Sequence, residues 1–261
     1  MPRFPSQKQN IKTDVLIVGG GLAGLLCAFQ LSRAGVNYTL IEADRICGGV
    51  TANTTAKLTS QHGLIYSKLS ARFGQEIAKG YWQANERALE QYKTLARQID
   101  CDFEEKDSYI YGTQESLKLE EEMSVLNRLG ISSDFCATLD IPVPVSGAIR
   151  FRGQAQFHPL KFAAKIAEGL NVLEGTKALE FAGKTVKTNH GMITADKIIV
   201  ATHFPILNKH GAYYLKQYQS RSYVLALEKA ANPAGMYLGI DGKKLSFRSW
   251  GDYLLLGGGG H

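Results

Sequence analysis

The chain lacks cysteine pairs, basic clusters and long apolar runs, and each absence removes a class of protein. Its four cysteines, Cys27, Cys47, Cys101 and Cys136, are widely spaced, with no CxxC or CxxxxC. That spacing encodes neither a redox dithiol nor a zinc ribbon, so no metal site is expected and a reducing cytoplasm is the expected compartment. No apolar run reaches membrane-spanning length, and Met1 to Thr13 is polar, with Arg3, Lys8 and Lys12 but no signal-peptide core. Thirty basic residues against 24 acidic ones leave a net charge of +6 without a Lys/Arg cluster. That excess reads as a solubility bias and marks no nucleic-acid face. Internal repeats are absent too.

What is present is ordinary globular material with one strong motif. At 261 residues, 44% hydrophobic and 21% charged, the chain fits one large domain or two intertwined ones. Asp14 to Gly24 reads DVLIVGGGLAG, a run suited to a strand covered on both faces that breaks into glycines and opens a helix. Gly19, Gly21 and Gly24 fill the GxGxxG positions. The first permits the tight turn, the second lets backbone approach a pyrophosphate, and the third allows close helix–strand packing. Leu22 and Ala23 then stand in the first helical turn, where N–H groups and the helix dipole favour an anion. A helix over Leu22 to Ala34 stops at Gly35, and a strand over Asn37 to Ile41 ends in Glu42. That carboxylate lies where a dinucleotide fold bonds a ribose diol, with Ala43 and Arg45 beside it. Glu42 would repel a ribose phosphate at Arg45, which favours an unphosphorylated adenosine ribose.

Further on, Ile46 to Gly63 is a Gly- and Thr-rich loop suited to wrapping phosphates with hydroxyl and backbone N–H groups. Helices are expected over Gln75 to Ile99, with a core stripe of Tyr81, Ala84, Ala88, Tyr92, Leu95 and Ile99, and over Gln114 to Leu129. Glu120, Glu121 and Glu122 read as a solvated face. Strands or hairpins are expected over Phe103 to Tyr111, Gly147 to Phe157, Asn171 to Glu174, Thr185 to Thr194, Tyr223 to Glu228 and Tyr253 to Leu256, with a helix over Pro159 to Leu170. Lys197 to Ala201 reads as a second fully buried strand. This order suggests a discontinuous nucleotide-binding domain, 11–75 and 147–210, interrupted by a substrate domain, 76–146 and 211–256.

DVLIVGGGLAG with Glu42, GGVTANTTAKLTSQHG, QAQFHPLKFA and DKIIVATHFP together resemble the D-amino-acid-oxidase-like (DAO) superfamily of FAD-dependent oxidoreductases. The similarity points to a bacterial branch often fused to a C-terminal Rieske domain. The resemblance implies an α/β fold: a Rossmann-like, glutathione-reductase-type FAD-binding domain with an inserted α+β substrate domain. It also implies FAD, with Gly19, Gly21 and Gly24 at the pyrophosphate and Glu42 at the adenosine ribose. Thr51, Thr54 and Thr55 would line the phosphates, and Lys57 to Gln61 would approach the isoalloxazine. Backbone near Lys177 and Ala178 would meet adenine, and Ala201 and Thr202 match a late turn beside the cofactor, where His203 replaces a glycine. The implied chemistry is oxidation of a C–N bond in a small amine or amino acid by hydride transfer to flavin N5, with an iron–sulfur protein as a candidate electron acceptor.

Arg248 is the expected carboxylate anchor, because guanidinium grips a carboxylate with two hydrogen bonds, and Lys57 is its expected catalytic companion. No CxH pair occurs, so the chain carries no Rieske ligand set of its own. Its end at LLLGGGGH is expected to cut short the family's closing segment, which leaves a non-catalytic FAD- or nucleotide-binding remnant as the alternative. An NAD protein sharing only the βαβ unit fits less well, because it needs neither the Thr-rich loop nor KIIVAT.

Overall fold

A computed structural model describes residues 1–114, 116–207, 211–242 and 244–260. In chain order, β1 (Ile11–Val18), α1 (Leu22–Arg33) and β2 (Tyr38–Ile41) lead into a single 3-10 turn (Val50–Asn53) and the short β3 (Lys57–Leu58). Next come α2 (Ile65–Phe73), α3 (Gln75–Ala96), β4 (Glu104–Gly112), α4 (Ser116–Leu129), β5 (Asp134–Cys136) and β6 (Gly147–Gln156). After α5 (Pro159–Ile166) follow β7 (Val172–Leu173), β8 (Ala178–Ala182), β9 (Thr185–Thr188), β10 (Gly191–Val200) and α6 (Tyr213–Lys216). The last strands are β11 (Tyr223–Glu228), β12 (Met236–Gly239), β13 (Ser246–Trp250) and β14 (Tyr253–Gly258). Among the described residues no helix is long and apolar enough to cross a membrane.

The chain folds into two units: residues 1–54 with 158–219, and residues 55–157 with 220–261. The breaks at 54/55 and 157/158 leave α2 and β6 in the second unit, whereas sequence patterning places breaks after 75 and before 147.

In the first unit, strands run in the order β7-β2-β1-β10-β9-β8. The first four are mutually parallel, β9 pairs antiparallel with β10, and β8 pairs antiparallel with β9. Parallel strands need a crossover, and α1 supplies it between β1 and β2. Leu16, Ile17 and Val18 are fully or nearly fully buried because the sheet is covered on both faces. One face packs Leu16, Val18 and Ile41 against Val186, Ile193 and Ala195. Leu25 and Ala28 of α1 and Phe162 and Ile166 of α5 are buried as well, and the two helices pack together.

The KIIVA segment departs from expectation. It is the second half of β10, continuous with the hairpin strand, and it is not fully buried: Lys197 is exposed and Val200 is 38% exposed. β9 pairs only with residues 191–194 of β10, so residues 197–200 have β1 on one side and, among the described residues, no strand on the other.

In the second unit the strand order is β11-β14-β13-β12-β4-β6-β3, with β5 also on β6. Pairing is antiparallel except between β12 and β4. Ile110, Ile149 and Phe151 of this sheet form a core with Tyr66 of α2, Ala78 of α3 and Leu119, Val125, Leu126 and Leu129 of α4. The α3 stripe is rotated from the expected one. Ala78, Leu89, Lys93 and Ala96 are buried, whereas Ala84 and Ala88 face solvent.

Glu122 is a second correction. It is 2% exposed, and its carboxylate accepts hydrogen bonds from the Tyr66 and Ser67 N–H groups at 2.9 and 2.8 Å. It therefore caps the first turn of α2, whose N-cap position carries no bonding side chain.

Candidate cofactor cavity and cationic cluster

The carboxyl ends of β1, β2 and β10 converge on one corner, the place where open α/β sheets bind ligands. Gly19 N–H donates to the Ile41 carbonyl at 2.8 Å, and Ala201 N–H donates to the Val18 carbonyl at 2.8 Å. Beyond them opens a cavity of about 660 Å³, within the usual range for cofactor sites. The three glycines each meet a different steric demand. Gly19 has φ +112°, and a Cβ there would lie 2.5 Å from the Ala201 oxygen. A Cβ on Gly24 would lie 1.9 Å from the Gly19 oxygen, so helix and strand touch only without one. Gly21, by contrast, would meet only the Thr51 hydroxyl, at 3.5 Å, and so faces the cavity.

The start of α1 is open toward that space. Its N-cap, Gly21, offers no side chain, no acid occupies the first turn, and the Leu22 N–H donates to Thr51 Oγ1 at 3.2 Å. A hydroxyl thus accepts from one of the N–H groups at the start of the helix, where an anion is favoured. These features fit a dinucleotide pyrophosphate.

Around the rim, the structure gathers nearly all of the expected cofactor residues. Gly19, Gly21, Leu22 and Ala23 line the cavity, as do Glu42, Ala43 and Arg45, Thr51 and Thr54, and Ala178, Ala201 and Thr202. Gly24 is packed behind them, while Thr55 is outside the lining. The Glu42 carboxylate accepts from the Gly20 N–H at 2.7 Å and the Asp44 N–H at 3.0 Å, which fixes it at the corner. Arg45 is engaged elsewhere. It pairs with Glu174 at 2.8 Å and donates to the Pro2 carbonyl at 3.1 Å, leaving little freedom for a ribose phosphate. His203 also lines the cavity and has φ +62°, the left-handed conformation that glycine adopts without strain. Cys47, in the same lining, has its thiol pushed up to about 11 by burial, so it is uncharged at neutral pH.

The second unit holds the two expected catalytic residues. Lys57 Nζ, on β3, donates to the Tyr237 carbonyl of β12 at 2.8 Å. Burial, and then the Arg248 guanidinium, lower Lys57 to about 7. Arg248 on β13 is 4% exposed, and burial lowers it to about 10 against the opposing pull of Glu104 and Asp102. Among the described residues neither cation stands in an ion pair, and Arg248 Nε has no hydrogen-bond partner. Gln156, the register partner of Lys57, donates to the Ser249 carbonyl at 2.8 Å while its Oε1 is buried without a partner. Sequence reading did not single out Gln156 or Tyr237. A buried glutamine pairing across from Lys57 becomes visible only once the β3–β6 register is known. His62, also in this unit, shares a 2.9 Å hydrogen bond with the Tyr81 hydroxyl, a loop histidine held by its neighbour. Tyr213, Tyr214 and Tyr223 are exposed and fill no core.

A parallel sheet, a glycine corner and an acid on the second strand define a dinucleotide-binding protein of the Rossmann type. Comparison with known proteins makes that class specific. The FAD dependent oxidoreductase family (DAO) matches residues 14–261, and the chain belongs to it. A Bacillus subtilis (strain 168) protein named "Putative Rieske 2Fe-2S iron-sulfur protein YhfW" is 36% identical over 262 residues, covering 95% of this chain and 52% of that protein. Among solved structures, L-proline dehydrogenase from P. horikoshii superposes with a TM-score of 0.73 at 18% identity, covering 97% of this chain and 70% of that one. Glycine oxidase from Geobacillus kaustophilus gives 0.70 at 17% identity, covering 96% and 72%. These likenesses confirm the expected fold: a parallel cofactor-binding sheet plus a mixed second sheet. The cofactor of the family is FAD. The chain spans about half the length of the curated relatives it matches.

Proposed function

We propose that this chain is the flavin-binding part of an oxidoreductase that oxidises the C–N bond of a small amine or amino acid carrying a carboxylate. In this reading the first unit holds FAD and the second recognises substrate. The Leu22 N–H and the Gly21 backbone would take the pyrophosphate, Glu42 the adenosine ribose, and backbone at Lys177 and Ala178 the adenine. Bound FAD supplies the hydride acceptor, N5 of the flavin ring.

The observation that carries the substrate class is the pair of cations Lys57, half-buried, and Arg248, buried and only partly offset by Glu104 and Asp102, neither of them in an ion pair among the described residues. Placing two positive groups so close is costly unless an anion joins them. A substrate carboxylate would accept from Arg248 Nε, now unpartnered, and from Lys57 Nζ. The named substrates of the two structural neighbours, proline and glycine, both carry an amine and a carboxylate. An iron–sulfur centre as electron acceptor is supported by the name of the Bacillus subtilis relative.

The test is anaerobic reduction of the FAD-loaded chain by a panel of amines with and without carboxylates. Carboxylated amines should bleach the flavin, and Arg248→Met should weaken their binding by roughly thirtyfold, as for a lost charged hydrogen bond. Bleaching by uncharged amines alone would contradict the assignment. Bound FAD that no member of the panel reduces would favour a non-catalytic binding module.

A further inference from the structure

We propose that the amino-terminal arm, residues 2–10, is a strap that positions the adenosine end of the cofactor cavity, with Glu174 as its anchoring and positioning residue. The inference rests on the reading that this cavity takes the adenosine half of FAD. The arm looks dispensable in sequence: a polar stretch, PRFPSQKQN, ahead of the first strand. Its contacts say otherwise.

Glu174 is the hub. It is only 4% exposed, follows β7, and spends both carboxylate oxygens on distant backbone and on one cation. Oε2 accepts from the Phe4 N–H at 3.1 Å and pairs with Arg45 at 2.8 Å, while Oε1 accepts from the Ile46 N–H at 2.8 Å. The Glu174 N–H donates back to the Pro5 carbonyl at 3.0 Å. A buried carboxylate needs such partners, and Glu174 thereby ties the arm and the 45–46 turn to one anchor.

The same segment brackets Glu42. The Glu42 N–H donates to the Leu173 carbonyl at 2.9 Å, and the Glu42 carbonyl accepts from the Thr176 N–H at 2.8 Å. Thr176, a cavity residue, is in turn held by the arm, because its hydroxyl accepts from the Gln7 N–H at 3.1 Å. Gln7 is buried, and its side chain accepts from the Thr188 hydroxyl at 2.6 Å and donates to the Gln9 carbonyl at 2.9 Å. Asn10 closes the strap by accepting from the Met192 N–H at 2.9 Å. A continuous path of hydrogen bonds therefore runs from the arm through Glu174 and Thr176 to the backbone on both sides of the proposed ribose carboxylate. None of the arm residues lines the cavity itself.

The experiment titrates FAD, by flavin fluorescence, and AMP, by calorimetry, into the unsubstituted chain, Glu174→Gln and Gln7→Ala. Glu174→Gln should weaken both ligands by about tenfold and Gln7→Ala by about threefold. A synthetic peptide of residues 1–10 should restore affinity to a chain lacking residues 2–9. A brace that serves stability alone would lower the unfolding midpoint and leave the affinity of the folded fraction unchanged. Gln7→Ala keeps the test readable if Glu174→Gln does not fold. Equal affinities in all chains would overturn the strap while leaving the cavity reading intact. An unsubstituted chain that binds neither FAD nor AMP would overturn the cavity reading, and the strap with it.

Discussion

A methyl group on Gly24 would need space already filled by the Gly19 carbonyl oxygen, 1.9 Å away. Gly24→Ala should therefore destabilise the first unit by about 1–3 kcal/mol, read from urea unfolding, because backbone must move to admit it. A stability within error of the unsubstituted chain would show that helix and strand can part freely. Lys57 supports a prediction in pH. Its ammonium is lowered to about 7, below the 10.5 of an ordinary lysine, so between those values the unfolded chain binds more protons than the folded one. Its contribution to stability therefore rises with pH from about 7 toward 10.5. Carboxylate binding has the opposite sense: it should be strongest below about 7 and fall as Lys57 loses its proton, while Arg248, lowered to about 10, stays charged. Lys57→Met should flatten both profiles, and a pH dependence that survives that substitution would remove Lys57 from the site. Single residues were legible where their demand is local. Gly24 and Glu42 answer constraints set by neighbours a few residues away or by one crossover, and Gly19 announces itself by its place in the motif although the oxygen it must clear belongs to Ala201. Glu174 answers Phe4 and Ile46, 170 and 128 residues distant, and no spacing rule could reveal it.

At the scale of elements, patterning located β1, α1, β2, α3, α4 and α5 and the burial of β1, but misjudged the face that α3 buries. The aromatic and alanine stripe expected on α3 turns partly to solvent, because the core it meets is fixed by Tyr66, Ile110 and Phe151 on other elements. Likewise the apolar run at the end of β10 promised burial that it lacks, because among the described residues β9 pairs only with the strand's first half. The short β3, β5 and β12 carry too few residues for a period to register, and their pairing comes from the sheet. Glu122 shows how an acidic run can hide a structural group: Glu122 is buried against the start of α2, while Glu120 and Glu121 face solvent. Glu122→Ala leaves two helix N–H groups without an acceptor and should cost about 1–3 kcal/mol, with Glu122→Gln losing less. Equal stability of all three chains in urea would mean that water caps α2 as well as the carboxylate does.

For the whole molecule, the order of elements carried the architecture: a βαβ unit, an excursion, a return to parallel strands and a second excursion. The two structural neighbours share that plan at 18% and 17% identity, so the fold outlasts most of the side chains that build it. What persists is what the cofactor and the packing demand of the backbone. The glycine corner, the acid after β2 and the turn after β10 lie together on one cavity, although the last comes more than 150 residues after the second. The central claim is that this corner receives the adenosine diphosphate half of FAD. The structure of the chain soaked with FAD tests it most directly. The pyrophosphate is predicted at the Gly21 and Leu22 N–H groups, with Thr51 Oγ1 displaced or shared, and the ribose hydroxyls within hydrogen-bond reach of Glu42. An adenosine seated elsewhere, or a Glu42 carboxylate that bonds only Gly20 and Asp44 in the complex, would contradict the account.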